Sequence, residues 1–131
     1  MTIRISTTRV DLDDKELRQA VLQDYAQSVN VLGSAGGGRK IDLELGNVVT
    51  CTVATSTNTF TFFNPSWLNT ACSFTLILTN GGSQTVYWPL SVRWAGGTVP
   101  TLTTAGVDII SFLTTDGGLN WYGFVAGLDV Q

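Results

Sequence analysis

The sequence predicts a mostly β fold, an antiparallel β-sandwich or jelly-roll-like domain preceded by an N-terminal arm with one short α-helix. The 131 residues include 19 threonines and 14 glycines, which are typical of pleated strands and tight turns. Apolar and polar residues alternate in several short runs after residue 41, as expected for half-buried strands. Thirteen of the 17 charged residues lie in the first 44 positions, so the chain divides into two unlike segments.

The N-terminal arm, residues 1–32, carries both predicted elements that precede the β domain. Ile3 and Ile5 alternate with polar residues and predict a short strand. Apolar residues then recur every four positions over about 13–30, which predicts an amphipathic helix capped by Asp13. One helix and one strand cannot bury this apolar stripe by themselves, so the stripe needs a partner surface. The predicted partner-binding residues of the arm are Ile3, Ile5, Leu17, Val21, Tyr25 and Val29.

A glycine-rich stretch, residues 33–40, follows the arm and predicts a flexible hinge. The β domain then covers residues 41–131. Its strand runs are separated by residues with turn chemistry, such as Asn80 to Ser83 and Asp116 to Gly118. Short strands at regular spacing, joined by such turns, predict antiparallel pairing.

The composition excludes most catalytic and metal chemistry. The chain has no histidine, which removes the commonest general base and the commonest metal ligand. Cys51 and Cys72 are too far apart for a CxxC motif, and their alternation with apolar residues predicts two buried free thiols. The stretch 33–40 departs from the phosphate-binding loop, because Arg39 stands where the lysine belongs. We therefore predict no catalytic residue, no cofactor and no metal.

Charge and hydropathy also narrow the range of partners. The net charge of −3 lacks the basic excess that phosphate backbones require, so nucleic acid is not an expected partner. The first residues show no apolar signal region and no run of eighteen apolar residues occurs, so we expect neither secretion nor a membrane span. The sequence thus predicts a protein made in the cytoplasm.

The aromatic residues of the β domain form two adjacent pairs, Tyr87-Trp88 and Trp121-Tyr122. Neighbours in a strand point to opposite faces, so one member of each pair should be buried and the other exposed. The candidate exposed aromatic contacts are Tyr87, Trp94 and Tyr122. No cluster of polar residues accompanies them, which favours packing in the core or between subunits over a carbohydrate platform.

Several segments of the β domain resemble a small domain of tailed-bacteriophage surface proteins. The resemblance spans about 80 residues and depends on the order of these segments. It implies a trimeric, β-rich virion component without catalytic residues, found in capsid decoration proteins, head fibres and tail-fibre tips. The first 40 residues lie outside it. The segments are Thr59 to Pro65, Ser73 to Thr79, Val86 to Pro89, Val92 to Leu102, Asp108 to Phe112 and Asp116 to Gly123.

Among these roles the sequence favours a capsid decoration, or cement, protein on the virion surface. Fibres usually contain a long repetitive shaft, whereas this chain has only one predicted short helix. We expect a homotrimer whose arms contact the major capsid protein or another virion protein. The alternative is a receptor-binding tip or attachment module of a tail or head fibre, where exposed aromatics would contact host glycan. A glycan-cleaving enzyme is disfavoured, because the β domain offers few carboxylates for an acid and base pair.

Overall fold

The computed structural model describes residues 2–131 and builds them mainly from β-strands. Strands make up 46% of the residues and helical turns only 7%, which confirms the mostly β prediction. The helical turns are three short 3₁₀ segments, Leu43–Leu45, Gly81–Ser83 and Ala95–Gly97.

The strands form three sheets. A hairpin pairs β1 with β2, a large sheet has the order β3-β5-β7-β10-β11-β9, and a small sheet has the order β4-β6-β8. The strands are β1 Arg4–Ile5, β2 Val10–Asp11, β3 Val29–Gly33, β4 Gly37–Asp42, β5 Val48–Thr52, β6 Asn58–Phe63, β7 Leu68–Thr79, β8 Val86–Tyr87, β9 Val92–Trp94, β10 Val107–Asp116 and β11 Trp121–Gly127.

From β3 to β9 the chain passes from one sheet to the other after every strand. Consecutive strands of one sheet therefore run in the same direction: β3, β5 and β7 are parallel, as are β4, β6 and β8. Only β1 with β2, and β10 with its neighbours β7 and β11, pair antiparallel. This corrects the expected antiparallel arrangement. The turn at Asn80–Ser83 leads into the other sheet instead of reversing the chain within one sheet.

The inner faces of the large and small sheets share one apolar core. Phe62 of the small sheet packs edge-on against Phe74 and Phe112 of the large sheet, with ring centroids 4.9 and 5.1 Å apart. Alternate residues of β5 and β7 are buried, as their polar and apolar alternation predicted. The buried apolar residues are Ile41, Val49, Cys51, Val53, Phe60, Phe74, Leu76, Leu78, Val92, Ile110, Phe112 and Trp121.

The arm contains no α-helix in the structure, in contrast to the prediction for residues 13–30. Residues 12–28 are irregular, and Val29 already belongs to β3. Asp13, Gln19 and Asp24 have positive φ angles, which a right-handed helix does not allow. An amphipathic helix forms mainly when its apolar face is covered, and residues 2–131 leave the stripe in solvent. The short strand predicted around Ile3 and Ile5 lies in the β1–β2 hairpin.

The glycine-rich stretch is largely part of the sheets, although the sequence indicates a hinge at 33–40. Gly33 ends β3, and Gly37 begins β4, which pairs in register with β6. Both glycines have positive φ angles, so they allow a sharp corner between the two sheets. The β domain consequently begins near residue 29 in the structure and includes residues assigned to the arm and hinge by sequence.

The turn between β10 and β11 forms the antiparallel hairpin that the pair Gly117-Gly118 predicts. The Asp116 carboxylate accepts hydrogen bonds from the backbone N–H of Asn120 at 2.9 Å and from its side-chain Nδ2 at 3.0 Å. The hydroxyl of Thr114 donates to the same carboxylate at 3.0 Å. These bonds, first of all the one from the Asn120 side chain, lower the pKa of Asp116 below its ordinary value near 3.8.

We expect this turn to make stability depend on acid pH. Because the folded pKa is depressed, the stabilisation is complete above the ordinary pKa and is lost as pH falls through the folded value. Asp116→Asn should therefore lower the free energy of unfolding at neutral pH, and its difference from wild type should shrink at about pH 3. Urea unfolding at both pH values tests this. Asp24→Asn, in the exposed arm, is the control, and an equal pH response in the two variants would contradict the assignment.

Candidate interaction surfaces

The arm exposes all six of its predicted partner-binding residues. Their exposed fractions range from 49% at Ile3 to 93% at Val21. Ile5 faces solvent from the β1–β2 hairpin, and Leu17 and Tyr25 face solvent from the irregular segment. Exposed apolar side chains in one continuous segment are typical of a docking element.

The hairpin of the arm is a small separate sheet. Its turn is closed by a backbone bond from the N–H of Ser6 to the carbonyl of Arg9 at 2.8 Å, and Ile5 pairs with Val10. An isolated two-stranded hairpin is at best marginally stable in water. Ile5 and Val10 are exposed, so this hairpin would be stabilised by a surface that covers its apolar side chains.

Of the three candidate aromatic contacts, only two are exposed. Tyr87 and Tyr122 are exposed, as predicted, whereas Trp94 is half-buried and packs at the edge of the core. The Trp94 ring lies edge-on to Trp88 and Phe112, with centroids 5.5 and 5.7 Å apart. The prediction of an exposed Trp94 is therefore wrong, because the ring covers the core beside β11.

The two exposed tyrosines belong to different sheets. Tyr87 ends β8 and is aligned with Thr59 of the small sheet, while Tyr122 is aligned with Leu113 and Arg93 of the large sheet. In both sheets these side chains lie on the face away from the shared core. Tyr87 and Tyr122 consequently do not form one aromatic platform.

A groove beside the turn that follows β6 contains an exposed tryptophan that the candidate residues did not include. Trp67 is 64% exposed and lines a groove of about 690 Å³ together with Glu16, Glu44 and Asn64. The sequence signal was the position of Trp67 directly after the turn residues Asn64-Pro65-Ser66, because such turns leave side chains in solvent.

Asn64 is held in this groove by an acidic residue. The side-chain Nδ2 of Asn64 donates to Asp42 Oδ1 at 2.8 Å, and Asp42 also accepts from the backbone N–H of Glu44 at 3.1 Å. These bonds, with that of Asn64 the largest cause, lower the pKa of Asp42. Asp42 thus holds the side-chain amide of Asn64, which lines the same groove as Trp67, and the groove also contains Lys15 beside its acidic residues.

The buried carboxylate of the β domain has a structural role. Asp108 accepts hydrogen bonds from the backbone N–H and hydroxyl of Thr103, at 2.7 and 2.6 Å, and from the backbone N–H of Asp129 at 3.1 Å. These three donors fasten the loop before β10 and the chain after β11 to the sheet. Asp108 is fully buried, so its position does not suit acid or base catalysis on a dissolved substrate.

The two cysteines are free thiols. Cys51 is buried and Cys72 is half-buried. Burial raises the pKa of the Cys51 thiol, although the guanidinium of Arg39 at 3.1 Å opposes this effect. A thiol with a raised pKa is a poor nucleophile. Among residues 2–131 there is also no group of three cysteine or acidic side chains arranged to hold a metal ion.

Comparison of the chain with family profiles, curated proteins and solved structures finds no match. Within the part of the chain that the structure describes, no helix is long and apolar enough to cross a membrane. The fold defines a mostly β protein with two packed sheets, an exposed apolar arm and two outward-facing tyrosines.

Proposed function

We propose that this chain is a structural protein of a bacteriophage virion, a capsid decoration protein that docks as a homotrimer on the major capsid protein. The observation that carries the proposal is the arm, where Ile3, Ile5, Leu17, Val21 and Tyr25 lie in solvent next to a β domain with its own complete core. The motif order described above, which resembles phage surface proteins, supports the same role.

The arm is the docking element in this proposal. Leu17, Val21 and Tyr25 are spaced four residues apart, so a helix would align them on one face. A surface that covers this face supplies the burial that an isolated helix lacks. The arm thus folds into its helix when it binds the shell or a neighbouring subunit, and part of the binding free energy orders the chain.

The proposal is tested with two variants that add the same charge to different sides of the arm. Leu17→Asp with Val21→Asp places two carboxylates on the apolar stripe. Gln23→Asp with Gln27→Asp, the control, places two in the same segment off the stripe. We expect the stripe variant to bind empty shells of the encoding phage about 100-fold more weakly or worse, because each aliphatic group contributes about 1.5–3 kcal/mol when buried. The control should bind like wild type in a sedimentation assay.

Equal binding by the stripe variant and the control would contradict docking through the arm. Wild-type protein that fails to sediment with the shells would contradict the decoration role itself. Electron cryomicroscopy of decorated shells would show density for the β domain on the outer surface if the proposal is correct.

A receptor-binding module at a fibre tip is the second candidate. The observation that favours it is the groove at Trp67, which an exposed indole lines together with Asn64 and Glu44. Aromatic faces with neighbouring polar groups suit the apolar and hydroxyl surfaces of a sugar. Binding of the full-length protein to host glycans, without affinity for empty shells, would select this role.

A further inference from the structure

The face of the large sheet that points away from the core forms a continuous surface, which we call the outer face. Pairing across the strands places its residues in four rows, one of which is Val48, Thr75, Ser111 and Phe124. The members of the outer face are Val29 and Val31 of β3, Val48, Thr50 and Thr52 of β5, Ser73, Thr75, Ile77 and Thr79 of β7, Val107, Ile109, Ser111 and Leu113 of β10, Tyr122 and Phe124 of β11, and Arg93 of β9.

The outer face is almost free of charge. Of its sixteen residues only Arg93 is charged, and Arg93 lies on the edge strand, where its Nε donates to the side chain of Asn120 at 3.0 Å. The other fifteen are aliphatic, aromatic or hydroxyl residues. By contrast, the outward-facing side of the small sheet includes Lys40, which forms an ion pair with Asp42 at 3.8 Å.

Residues 2–131 leave the outer face open to solvent. Val31, on the edge strand β3, and Phe124, on β11 beside the opposite edge strand, are 71% and 52% exposed, and the central Thr75 and Ser111 are partly exposed. The sixteen residues, each covering about 4.8 Å by 6.7 Å of the sheet, span roughly 500 Å².

We propose that the outer face is the interface between copies of this chain. It is then the surface that joins the subunits of the proposed trimer. This inference rests on the proposed function only for the number of subunits. Its area is more than half of the roughly 800 Å² that each partner contributes to a stable protein interface. Interface cores are depleted in charged residues, as this face is.

The composition of the outer face favours a second copy over a different protein. Specific recognition of an unlike partner usually uses complementary charges, and fifteen of the sixteen residues carry none. Around a three-fold axis each copy of the face meets two others, one along each half, so that closed rotational symmetry can bury its aliphatic and hydroxyl rows. The outer face also adjoins the arm through Val29, the first residue of β3, so the subunit interface and the docking arm are continuous.

The experiment compares two full-length variants that each place one glutamate on the outward side of a central strand. Ser111→Glu lies in the middle of the outer face, and Thr59→Glu, the control, lies on the outward side of the small sheet. Light scattering should give an oligomer for wild type and for Thr59→Glu, and a 14.0 kDa monomer for Ser111→Glu. Far-UV circular dichroism checks that each variant is folded. If Ser111→Glu does not fold, Phe124→Glu, at an exposed position of the same face, takes its place.

An oligomer that persists in folded Ser111→Glu, or in folded Phe124→Glu, would overturn the inference, as would a wild-type protein that is monomeric. Loss of assembly in Thr59→Glu alone would overturn it as well, since the small sheet would then be the interface. Shell binding is measured separately by sedimentation. A wild-type oligomer that dissociates in Ser111→Glu but binds no shell would support this interface and contradict the decoration role.

Discussion

Replacement of Arg39 by alanine should lower the free energy of unfolding by about 3 kcal/mol or more. Arg39 is only 4% exposed although it lies on β4, an edge strand of the small sheet. Its guanidinium donates to the carbonyl oxygens of Leu32 at 3.1 Å, of Gly33 at 2.8 Å and of Ala35. Alanine would remove three hydrogen bonds from a charged donor at the corner between β3 and β4, and a hydrogen bond to a charged group contributes about 1.5–3 kcal/mol.

Urea unfolding of three variants tests this role of Arg39. Lys40→Ala, at the exposed neighbouring residue, should cost at most about 1 kcal/mol. Arg39→Lys keeps the charge but not the planar fork of donors, so its loss should lie between the other two. Equal losses in Arg39→Ala and Lys40→Ala would show that the corner does not depend on the guanidinium.

A substitution in the aromatic core should also lower the free energy of unfolding strongly. Phe112 is fully buried, and its ring lies within 5.7 Å of four other aromatic rings, measured between centroids. Phe112→Ala removes contacts to both sheets at once and should destabilise the protein by about 3–5 kcal/mol, the range for buried phenylalanine. The four partners of Phe112 are Phe62, Phe74, Trp88 and Trp94.

The unfolding free energy of Phe112→Ala is compared with that of Phe63→Ala, which truncates an exposed phenylalanine of β6. Phe63→Ala should cost about 1 kcal/mol or less, because little apolar area is lost. Phe112→Leu retains most of the volume and should recover more than half of the loss. A Phe112→Ala variant as stable as Phe63→Ala would contradict a core shared by the two sheets.

Three of the core strands, β5, β6 and β7, and their inward residues could be predicted from the sequence. Leu76 and Leu78 alternate with threonine and isoleucine, and this period of two places them on one face of a strand wherever that strand lies. The turn at Asp116 was also predictable, since an Asp-Gly-Gly segment suits a tight reversal. The pairing of the strands was not predictable, because the same alternation fits parallel and antiparallel neighbours equally well.

The candidate interaction residues could be predicted only where their exposure depends on a local sequence pattern. The arm residues Leu17 and Val21 are exposed as expected, but the helix that would align them is not formed without a covering surface. The prediction for Trp94 was wrong because its burial depends on Trp88 and Phe112, which approach it from other segments of the chain. The outer face could not be identified either, since its rows join residues far apart in the chain.

By itself, the sequence determined that this protein is mostly β, which residues of β5, β6 and β7 face inward, and that its charge is concentrated before residue 45. These features follow from residue type and from a period that is local to each strand. Only the tertiary structure decided that the chain alternates between two sheets, that Arg39 closes a corner where the glycines indicated a hinge, and that sixteen almost uncharged residues form one open face. The physical reason is that pairing and burial depend on contacts between distant segments, and a local pattern is compatible with many such contacts.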